Sequence, residues 1–234
     1  MRRIGFSTGA LARGDFRAAL AILRRYRIDV VELSALRVSE LAPLARAIPD
    51  LDLSAFTFVS IHAPSRFAPE EEAWVVDHLQ VLADQGFPIV VHPDVIFSPY
   101  RWLMLGDRLL IENMDKRKPI GRTVDDLRAL YEVLPAARFC FDVGHARQVD
   151  PSMTEAALFV RCFQNRLCEV HMSEVNTASR HDPISKNAVN AFGTVMSSIP
   201  ENIPIILESL IDDGQSDVET EIQRANEVFA VVAV

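Results

Sequence analysis

The sequence has little cysteine and no long hydrophobic run, and each shortage excludes a class of protein. Its 234 residues include three cysteines, Cys140, Cys162 and Cys168, without C-x-x-C spacing. A disulfide framework is therefore not expected, and a reducing compartment, the cytoplasm, is the predicted location. No apolar run reaches the roughly 18 residues that a membrane-spanning helix needs. The opening MRRIGFSTGA has no apolar signal-peptide core, so neither a signal peptide nor a membrane partner is expected.

Positive charge is also scarce. Lys and Arg number 24 against 32 Asp and Glu, which gives a formal net charge of −8 at pH 7. This balance argues against a broad nucleic-acid-binding surface but leaves a local basic patch open, with residues 116–118 (KRK) as a candidate. The chain contains neither G-x-G-x-x-G nor G-x-x-x-x-G-K-[ST], so no nucleotide-binding loop is expected. Residues 5–9 (GFSTG) match a nucleophile elbow only in letters, because no oxyanion loop precedes them.

What the chain does contain is a series of short strand-like runs about thirty residues apart, the length of one βαβ repeat. Several are apolar on both faces, as buried strands of a parallel sheet are. The eight runs are RIGFST, DVVELSA, FVSIHAP, IVVHPD, LLIENMD, FCFDVGHA, CEVHMSE and IPIILES.

Helical patterns separate these runs. Apolar residues recur at a spacing of three to four, with Asp15 and Thr123 as predicted N-caps and Gly86 as a stop signal. The predicted helical segments lie in residues 14–27, 69–86, 123–135, 150–166, 185–200 and 216–232. Eight such units predict an α/β fold, a compact (β/α)8 TIM barrel formed by residues 1–234 as a single domain. An open doubly wound sheet is the alternative.

Ligand-type side chains end, or nearly end, seven of the eight runs. They are Glu32, His62, His92, Glu112, Asp142 with His145 just beyond, His171 and Glu208. In a barrel enzyme the C-terminal strand ends form the active site, so these side chains should meet at one mouth. Each residue alone could be a hydrogen-bonded structural residue, and we expect this of Glu32, Glu169 and His78.

The carboxylates in this set predict a metal. Few basic residues lie in the strands that carry Glu112, Asp142 and Glu208, and carboxylates gathered without cations are held by a metal or share protons. Nitrogen and oxygen ligands without thiolates suit several divalent ions, and the number of histidines favours zinc or manganese. We expect one core site and leave a second one open.

The ordered phrases IHAP, VVHPD, IEN, FDVGHA, VHMSE and LES resemble the xylose isomerase-like TIM barrel superfamily across nearly the whole chain. That superfamily joins sugar and sugar-phosphate isomerases and epimerases with endonuclease IV-like proteins. The resemblance implies a core metal on Glu112, Asp142, His171 and Glu208. It further implies a second metal on His62 and His92, with Glu112 as the bridging carboxylate.

The resemblance also marks one departure. Endonuclease IV-like members hold a third metal with the histidine of the strand-six motif and an Asp-x-His after strand seven. His145 and His181 match the two histidines, whereas Ser179 occupies the position of the aspartate and Asp182 is out of register. The third metal is therefore not carried over from the family.

Two kinds of chemistry are compatible with these residues, and the sequence favours an isomerase or epimerase slightly. In that hypothesis Glu112 and Glu208 move a proton, and His145 is also catalytic. The substrate is a small carbohydrate or a phosphate-containing compound. Its predicted binding residues are His62, His145, Arg180 and His181. A zinc-dependent phosphoester hydrolase of the endonuclease IV type is the alternative, favoured by His62 and His92. A catalytically inactive ligand-binding barrel is a further alternative. The sequence leaves the substrate, the metal and the oligomeric state open, and it does not exclude nucleic acid.

Overall fold

Eight parallel strands close into a barrel in the computed structural model of the chain, which describes residues 2–211 and 217–231. The barrel strands are β1 (Ile4–Ser7), β2 (Val30–Ser34), β3 (Phe58–His62), β4 (Ile89–Val91), β5 (Leu109–Glu112), β6 (Arg138–Asp142), β7 (Leu167–Met172) and β10 (Ile205–Leu207). Each strand pairs with its sequence neighbours around the ring, and β10 closes the barrel against β1. The predicted (β/α)8 TIM barrel is confirmed.

Helices surround the barrel. They are α1 (Thr8–Ala12), α2 (Phe16–Leu23), α3 (Val38–Ala47), α4 (Glu72–Asp84), α5 (Pro99–Trp102), α6 (Val124–Val133), α7 (Val143–Val149), α8 (Thr154–Phe163), α9 (Lys186–Met196) and α10 (Val218–Ala230). The predicted caps form, since the Asp15 carboxylate accepts from Ala18 N and the Thr123 hydroxyl accepts from Asp126 N. Residues 216 and 232 of the last predicted helical segment lie outside the described residues.

Three helices and a small hairpin were not anticipated from the sequence. Helix α3 contains Pro43, a residue that argues against a helix in the sequence although this helix tolerates it. Helices α1 and α7 follow the ends of β1 and β6 directly. The hairpin is antiparallel, lies after β7 and is formed by β8 (Glu174–Val175) and β9 (His181–Asp182). This hairpin matters for the site, because it carries His181.

The connection from β4 to β5 is short, and a buried carboxylate fixes it. Glu72, at the start of α4, accepts hydrogen bonds from the backbone N–H groups of Phe97 and Ser98 at 2.7 and 2.9 Å and from Trp102 Nε1 at 2.9 Å. His78 lies farther along α4 and stacks on Trp74, with ring centroids 3.9 Å apart. His78 is therefore remote from the barrel mouth, as the helical pattern predicts.

The barrel interior has two kinds of layer. Its lower part is an apolar cluster of Val90, Leu110, Cys140 and Cys168 with Phe58 against it. Because side chains alternate along a strand, the residues two places on from Val90, Leu110 and Cys140 face the interior again, nearer the mouth. No helix among the described residues has the length and hydropathy needed to cross a bilayer.

Candidate metal centre

Six of the predicted ligands lie at the C-terminal edge of the barrel. His62, Glu112 and Asp142 are the last residues of β3, β5 and β6, and His92 and Glu208 directly follow β4 and β10. The sixth is His171, next to last in β7.

A bulge in β7 sets the orientation of His171. The pairing of β6 with β7 shifts between Phe139 and Cys140, so that Cys140 pairs with Glu169 and Asp142 with His171. Inserting one residue reverses which face the following side chains occupy, so the bulge brings both Glu169 and His171 into the barrel interior.

The four core ligands converge as the sequence predicts. One ligand atom from each of Glu112, Asp142, His171 and Glu208 lies within 4.8 Å of the others. The Nδ1 atom of His171 is 3.6 Å from Glu112 Oε1 and 3.5 Å from Glu208 Oε1. Ligands that each lie about 2.0–2.3 Å from a transition ion are at most roughly 4.6 Å apart. Small side-chain adjustments therefore suffice to hold one ion.

A second group uses the other face of the same glutamate. His62 Nε2 and His92 Nε2 lie 3.4 and 3.3 Å from Glu112 Oε2, and the three residues also offer ligand atoms within 4.8 Å. Glu112 Oε1, in contrast, faces His171 and His145, the latter at 3.2 Å. The carboxylate is thus placed to bridge two ions.

The buried polar atoms of this cluster test whether a metal fits. Both carboxylate oxygens of Glu112, Asp142 Oδ2, His171 Nδ1 and His92 Nδ1 are buried without a hydrogen-bond partner among the described residues. Buried polar groups of native proteins are nearly always satisfied, and leaving one unpaired costs about 1–3 kcal/mol. Orphaned atoms on Glu112, Asp142 and His171, residues whose ligand atoms lie within 4.8 Å of one another, fit a divalent cation.

A third group lies where the sequence departs from the endonuclease IV-like pattern for a third metal. Asp142, His145 and His181 offer ligand atoms within 4.8 Å of one another. Ser179 does not complete this group as a ligand, because its hydroxyl accepts a hydrogen bond from Gln148 Nε2 at 2.9 Å. Asp142 is shared with the core group, but its Oδ1 accepts the His145 N–H, so only Oδ2 is left and a third ion would compete with the core ion for it.

Helix α7 and the small hairpin position the two histidines. The Asp142 Oδ1 atom accepts the backbone N–H of His145 at 2.6 Å and caps α7. The imidazole Nδ1 of His145 lies 3.0 Å from the carbonyl oxygen of Asn113. His181 Nδ1 is 2.9 Å from the Ser173 hydroxyl and 3.4 Å from Glu208 Oε2.

Asn113 is a site residue that the sequence analysis passed over. Its amide Nδ2 donates to the Asp142 carbonyl and its Oδ1 accepts the Asp142 N–H, both at 2.8 Å. These two hydrogen bonds between the ends of β5 and β6 fix Asp142 beside Glu112. The sequence signal for its role was its position directly after the predicted ligand Glu112.

Below the ligands lies a layer of buried carboxylates. Glu32 Oε2 is 3.1 Å and Glu169 Oε1 is 3.3 Å from His171 Nε2, and the Ser60 hydroxyl donates to Glu169 Oε1 at 2.9 Å. With Nε2 turned to these carboxylates, Nδ1 is left for a metal, an arrangement that orients a ligand histidine. Glu32 is the third residue of β2. It therefore lies deeper than the strand end that the sequence run suggested.

Burial and mutual contact shift the pKa values of the metal-free cluster. Burial opposes charge on Glu112, but the neighbouring imidazoles of His145, His171, His62 and His92 hold its pKa well below the usual value. Burial raises the pKa of Asp142 to about 6 and that of Glu208 to about 8.

The pKa values of the two histidines at the cavity shift in opposite directions. Burial alone would lower the pKa of His145, yet Asp142 and Glu112 raise it to about 10. Burial and the neighbouring His145 lower the pKa of His181 to about 3.

A cavity of about 630 Å³ opens above the cluster, and its lining includes His62, His92, Glu112, His145, His181 and Glu208. Two cations on its wall are paired. Arg117 Nη2 lies 3.1 Å from Asp115 Oδ2, and Lys118 Nζ lies 2.8 Å from Asp94 Oδ2.

Two of the three basic residues of the KRK segment are therefore held in ion pairs. Arg180, a predicted substrate contact, lines a neighbouring open groove with Asp182 and Arg224. Its role in substrate binding stays a prediction.

Comparisons with known proteins bear on the fold. No protein-family model and no curated protein sequence matches the chain. Solved structures do: 3-keto-D-glucoside 4-epimerase YcjR from E. coli has 14% identity and a TM-score of 0.60 over 99% of this chain and 100% of that one. Endonuclease IV from Thermus thermophilus has 19% identity and a TM-score of 0.61, covering 97% of each chain.

A structure of D-psicose 3-epimerase is similar over 98% of this chain and 97% of its own, with 12% identity and a TM-score of 0.59. These neighbours include both sugar epimerases and a nuclease, so they do not select a reaction. At such identities the likeness concerns the architecture. The chain shares the (β/α)8 barrel architecture of these structures, the fold that the ordered sequence phrases imply.

Proposed function

We propose that the chain is a divalent-metal-dependent hydrolase of small phosphate esters, with its active site at the C-terminal mouth of the barrel. The placement of Glu112 carries this proposal. Its Oε1 faces the core ligands, while Oε2 lies 3.4 and 3.3 Å from His62 and His92. A one-metal isomerase has no need of the two histidines, whereas a two-metal hydrolase requires such a bridged pair. This observation reverses the slight preference that the sequence alone gave.

The site residues fall into two sets, the metal ligands and the substrate contacts. Asp142, His171 and Glu208 would hold one ion, His62 and His92 the other, and Glu112 both. When bound, such a pair supplies positive charge that polarises a phosphoryl group and lowers the pKa of the attacking water.

His145 and His181 line the cavity beside this centre, with ring centroids 5.2 Å apart. In place of a third ion, they bind the substrate. In the metal-free protein Asp142 and Glu112 raise the pKa of His145 to about 10. The imidazole of His145 would donate a hydrogen bond to the charge that develops on phosphoryl oxygen or the leaving group.

The cavity favours a small substrate. Its volume of about 630 Å³ is within the range of roughly 300–1,000 Å³ that small-molecule sites occupy. Arg117 and Lys118, the basic residues of its β5 side, are paired with Asp115 and Asp94. A duplex nucleic acid would need a broader cationic surface than the net charge of −8 provides.

An isomerase or epimerase is the second candidate, and one observation favours it. Glu112 and Glu208 both contact His171 Nδ1 and both line the cavity. Two carboxylates beside one metal are the groups that would move a proton between carbons of a sugar. Two of the similar structures are sugar epimerases.

One assay separates the two candidates. Zinc- or manganese-loaded protein is incubated in heavy water with phosphate monoesters, phosphate diesters, ketoses and ketose phosphates. The proposal expects release of phosphate or alcohol from at least one ester and no deuterium on any carbon. Metal-stripped protein is the control and should be inactive.

Deuterium entering a sugar next to its carbonyl, without phosphate release, would replace the hydrolase by the isomerase. If the loaded protein is silent across the whole panel, both proposals fail and the inactive ligand-binding barrel becomes the better account.

A further inference from the structure

Three cations line the cavity above the metal centre, and they differ in their partners. Arg117 is paired with Asp115, and Lys118 is paired with Asp94. Arg66 also lines the cavity and is exposed. Within residues 2–211 and 217–231 no ion pair or hydrogen bond of its guanidinium is recorded. Arg66 is therefore the cation whose charge is left for a ligand.

The backbone on both sides of Arg66 is fixed. Ser65 N donates to the Leu36 carbonyl at 3.2 Å. Phe67 is buried and meets the edge of Phe97, with ring centroids 5.9 Å apart. Arg66 thus projects from an anchored segment, four residues beyond His62. Its exposed side chain lies at the rim of the cavity, whereas the predicted ligands are buried or half-buried on the floor.

The charges on the floor of the cavity and on its wall are balanced in different ways. On the floor, the carboxylates of Glu112, Asp142 and Glu208 would be compensated by the divalent ions. On the wall, the two ion pairs cancel, so that one positive charge remains at the rim. A guanidinium is always charged, and its planar fork matches the oxygens of a phosphate or carboxylate.

We propose that Arg66 forms an anion subsite at the rim, which binds a second anionic group of the substrate while the reacting phosphoryl group lies on the floor. This inference rests on the proposed function, because it takes the floor as the place of the first phosphate. It narrows the substrate class to small phosphate esters that carry a further phosphate or carboxylate. Simple monoesters with one anionic group then bind more weakly.

Two pairs of probes test the subsite on zinc-loaded protein by isothermal titration calorimetry. Fructose 6-phosphate and fructose 1,6-bisphosphate differ by a phosphate, and glycerol 3-phosphate and 3-phosphoglycerate differ by a carboxylate. The second anionic group should lower Kd about 10-fold or more in at least one pair, the size of a charge-assisted bidentate contact. The pair that shows the gain identifies the group.

Variants assign the gain to Arg66. Arg66→Gln should reduce it to less than about 3-fold, and Arg66→Lys should retain part of it, because the charge remains without the fork. Arg25→Gln is the matched control. Arg25 is exposed after α2, at the barrel end away from the mouth, and its replacement should leave the gain intact.

The outcomes separate the two proposals. Equal Kd values within both pairs, with the single phosphates still binding, overturn the subsite and leave the hydrolase standing. A gain that persists in Arg66→Gln also overturns the role of Arg66. If none of the four probes binds to protein that holds its zinc, the phosphate-binding floor is wrong and the subsite falls with it.

Discussion

Two layers of the barrel interior come from the same strands and contain opposite kinds of side chain, apolar in one and polar in the other. In the lower layer Val90, Leu110 and Cys140 form an apolar cluster. Two residues farther along each strand, the upper layer has His92, Glu112 and Asp142, whose buried atoms lack hydrogen-bond partners.

The backbone geometry is shared, so the contrast lies in the side chains. The lower layer supplies burial, and the upper layer gives up stability by burying unpaired ligand-type atoms, a cost that the proposed metal site accounts for. Changes in one layer should therefore leave the property of the other intact.

The largest effect is expected in the upper layer. Glu112→Gln removes the carboxylate shared by both ligand groups, so zinc affinity should fall by about a thousandfold or more at the His62–His92 site, which loses its single carboxylate ligand, and by less at the core site, which keeps Asp142 and Glu208. Metal content after dialysis, measured by inductively coupled plasma mass spectrometry, checks this. Glu132→Gln is the control, because Glu132 is exposed on α6. Full zinc content in Glu112→Gln would remove the bridge from the account.

The matching change in the lower layer is Leu110→Ala. Leu110 is fully buried, and such truncations lower the free energy of unfolding by about 2–5 kcal/mol. Zinc stoichiometry should stay at the wild-type value, because the ligands lie one layer above. Urea denaturation of metal-free protein provides the measurement, with Leu103→Ala, at an exposed position, as a control that changes stability by less than about 0.5 kcal/mol. Loss of metal in Leu110→Ala would show that the two layers are not separable.

A smaller effect tests the contact between the layers. Glu32→Gln weakens the partner of His171 Nε2, which lies 3.1 Å away, and zinc affinity should fall about 10- to 100-fold, as for other outer-shell partners of ligand histidines. Glu169→Gln is the comparison, since burial raises the pKa of Glu169, and its Oε1 is shared between the Ser60 hydroxyl at 2.9 Å and His171 Nε2 at 3.3 Å. A competition titration with a chelating dye measures both. An equal loss in the two variants would make the carboxylates interchangeable.

The smallest effect concerns pH. Burial alone would lower the pKa of His62, but Glu32 and Glu112 raise it to about 9 in the metal-free protein. The folded state then binds more protons than the unfolded state above pH 6.5, so the free energy of unfolding should fall as pH rises from 7 to 9, by about 1 kcal/mol or more.

Denaturation curves at the two pH values check this sign. The His62→Gln variant, which has lost the titrating group, should show a smaller change. Zinc-loaded protein should behave in the opposite sense, because raising the pH removes protons that compete with the ions.

Much of this contrast between the layers was predictable from the amino-acid sequence. Apolar runs with a polar residue at the end, repeated at βα spacing, predict both the barrel and the convergence of Glu112, Asp142, His171 and Glu208. Such a prediction works because parallel strands of a barrel share one C-terminal edge.

Other features depend on contacts that no local pattern contains. The bulge in β7 has no letter signal, although it turns His171 into the barrel. The depth of Glu32 follows from the stagger of β2 against β3 rather than from its own run. The pairing of Lys118 with Asp94 joins loops 24 residues apart, and it is this pairing that leaves Arg66 as the rim cation.

The number of zinc ions per chain tests the central claim most directly. The account predicts two equivalents in the wild type and one in the protein carrying both His62→Ala and His92→Ala, with Glu112, Asp142, His171 and Glu208 retaining the first ion. A single equivalent in both proteins would contradict the bridged pair. It would return His62 and His92 to the cavity wall and favour the one-metal isomerase.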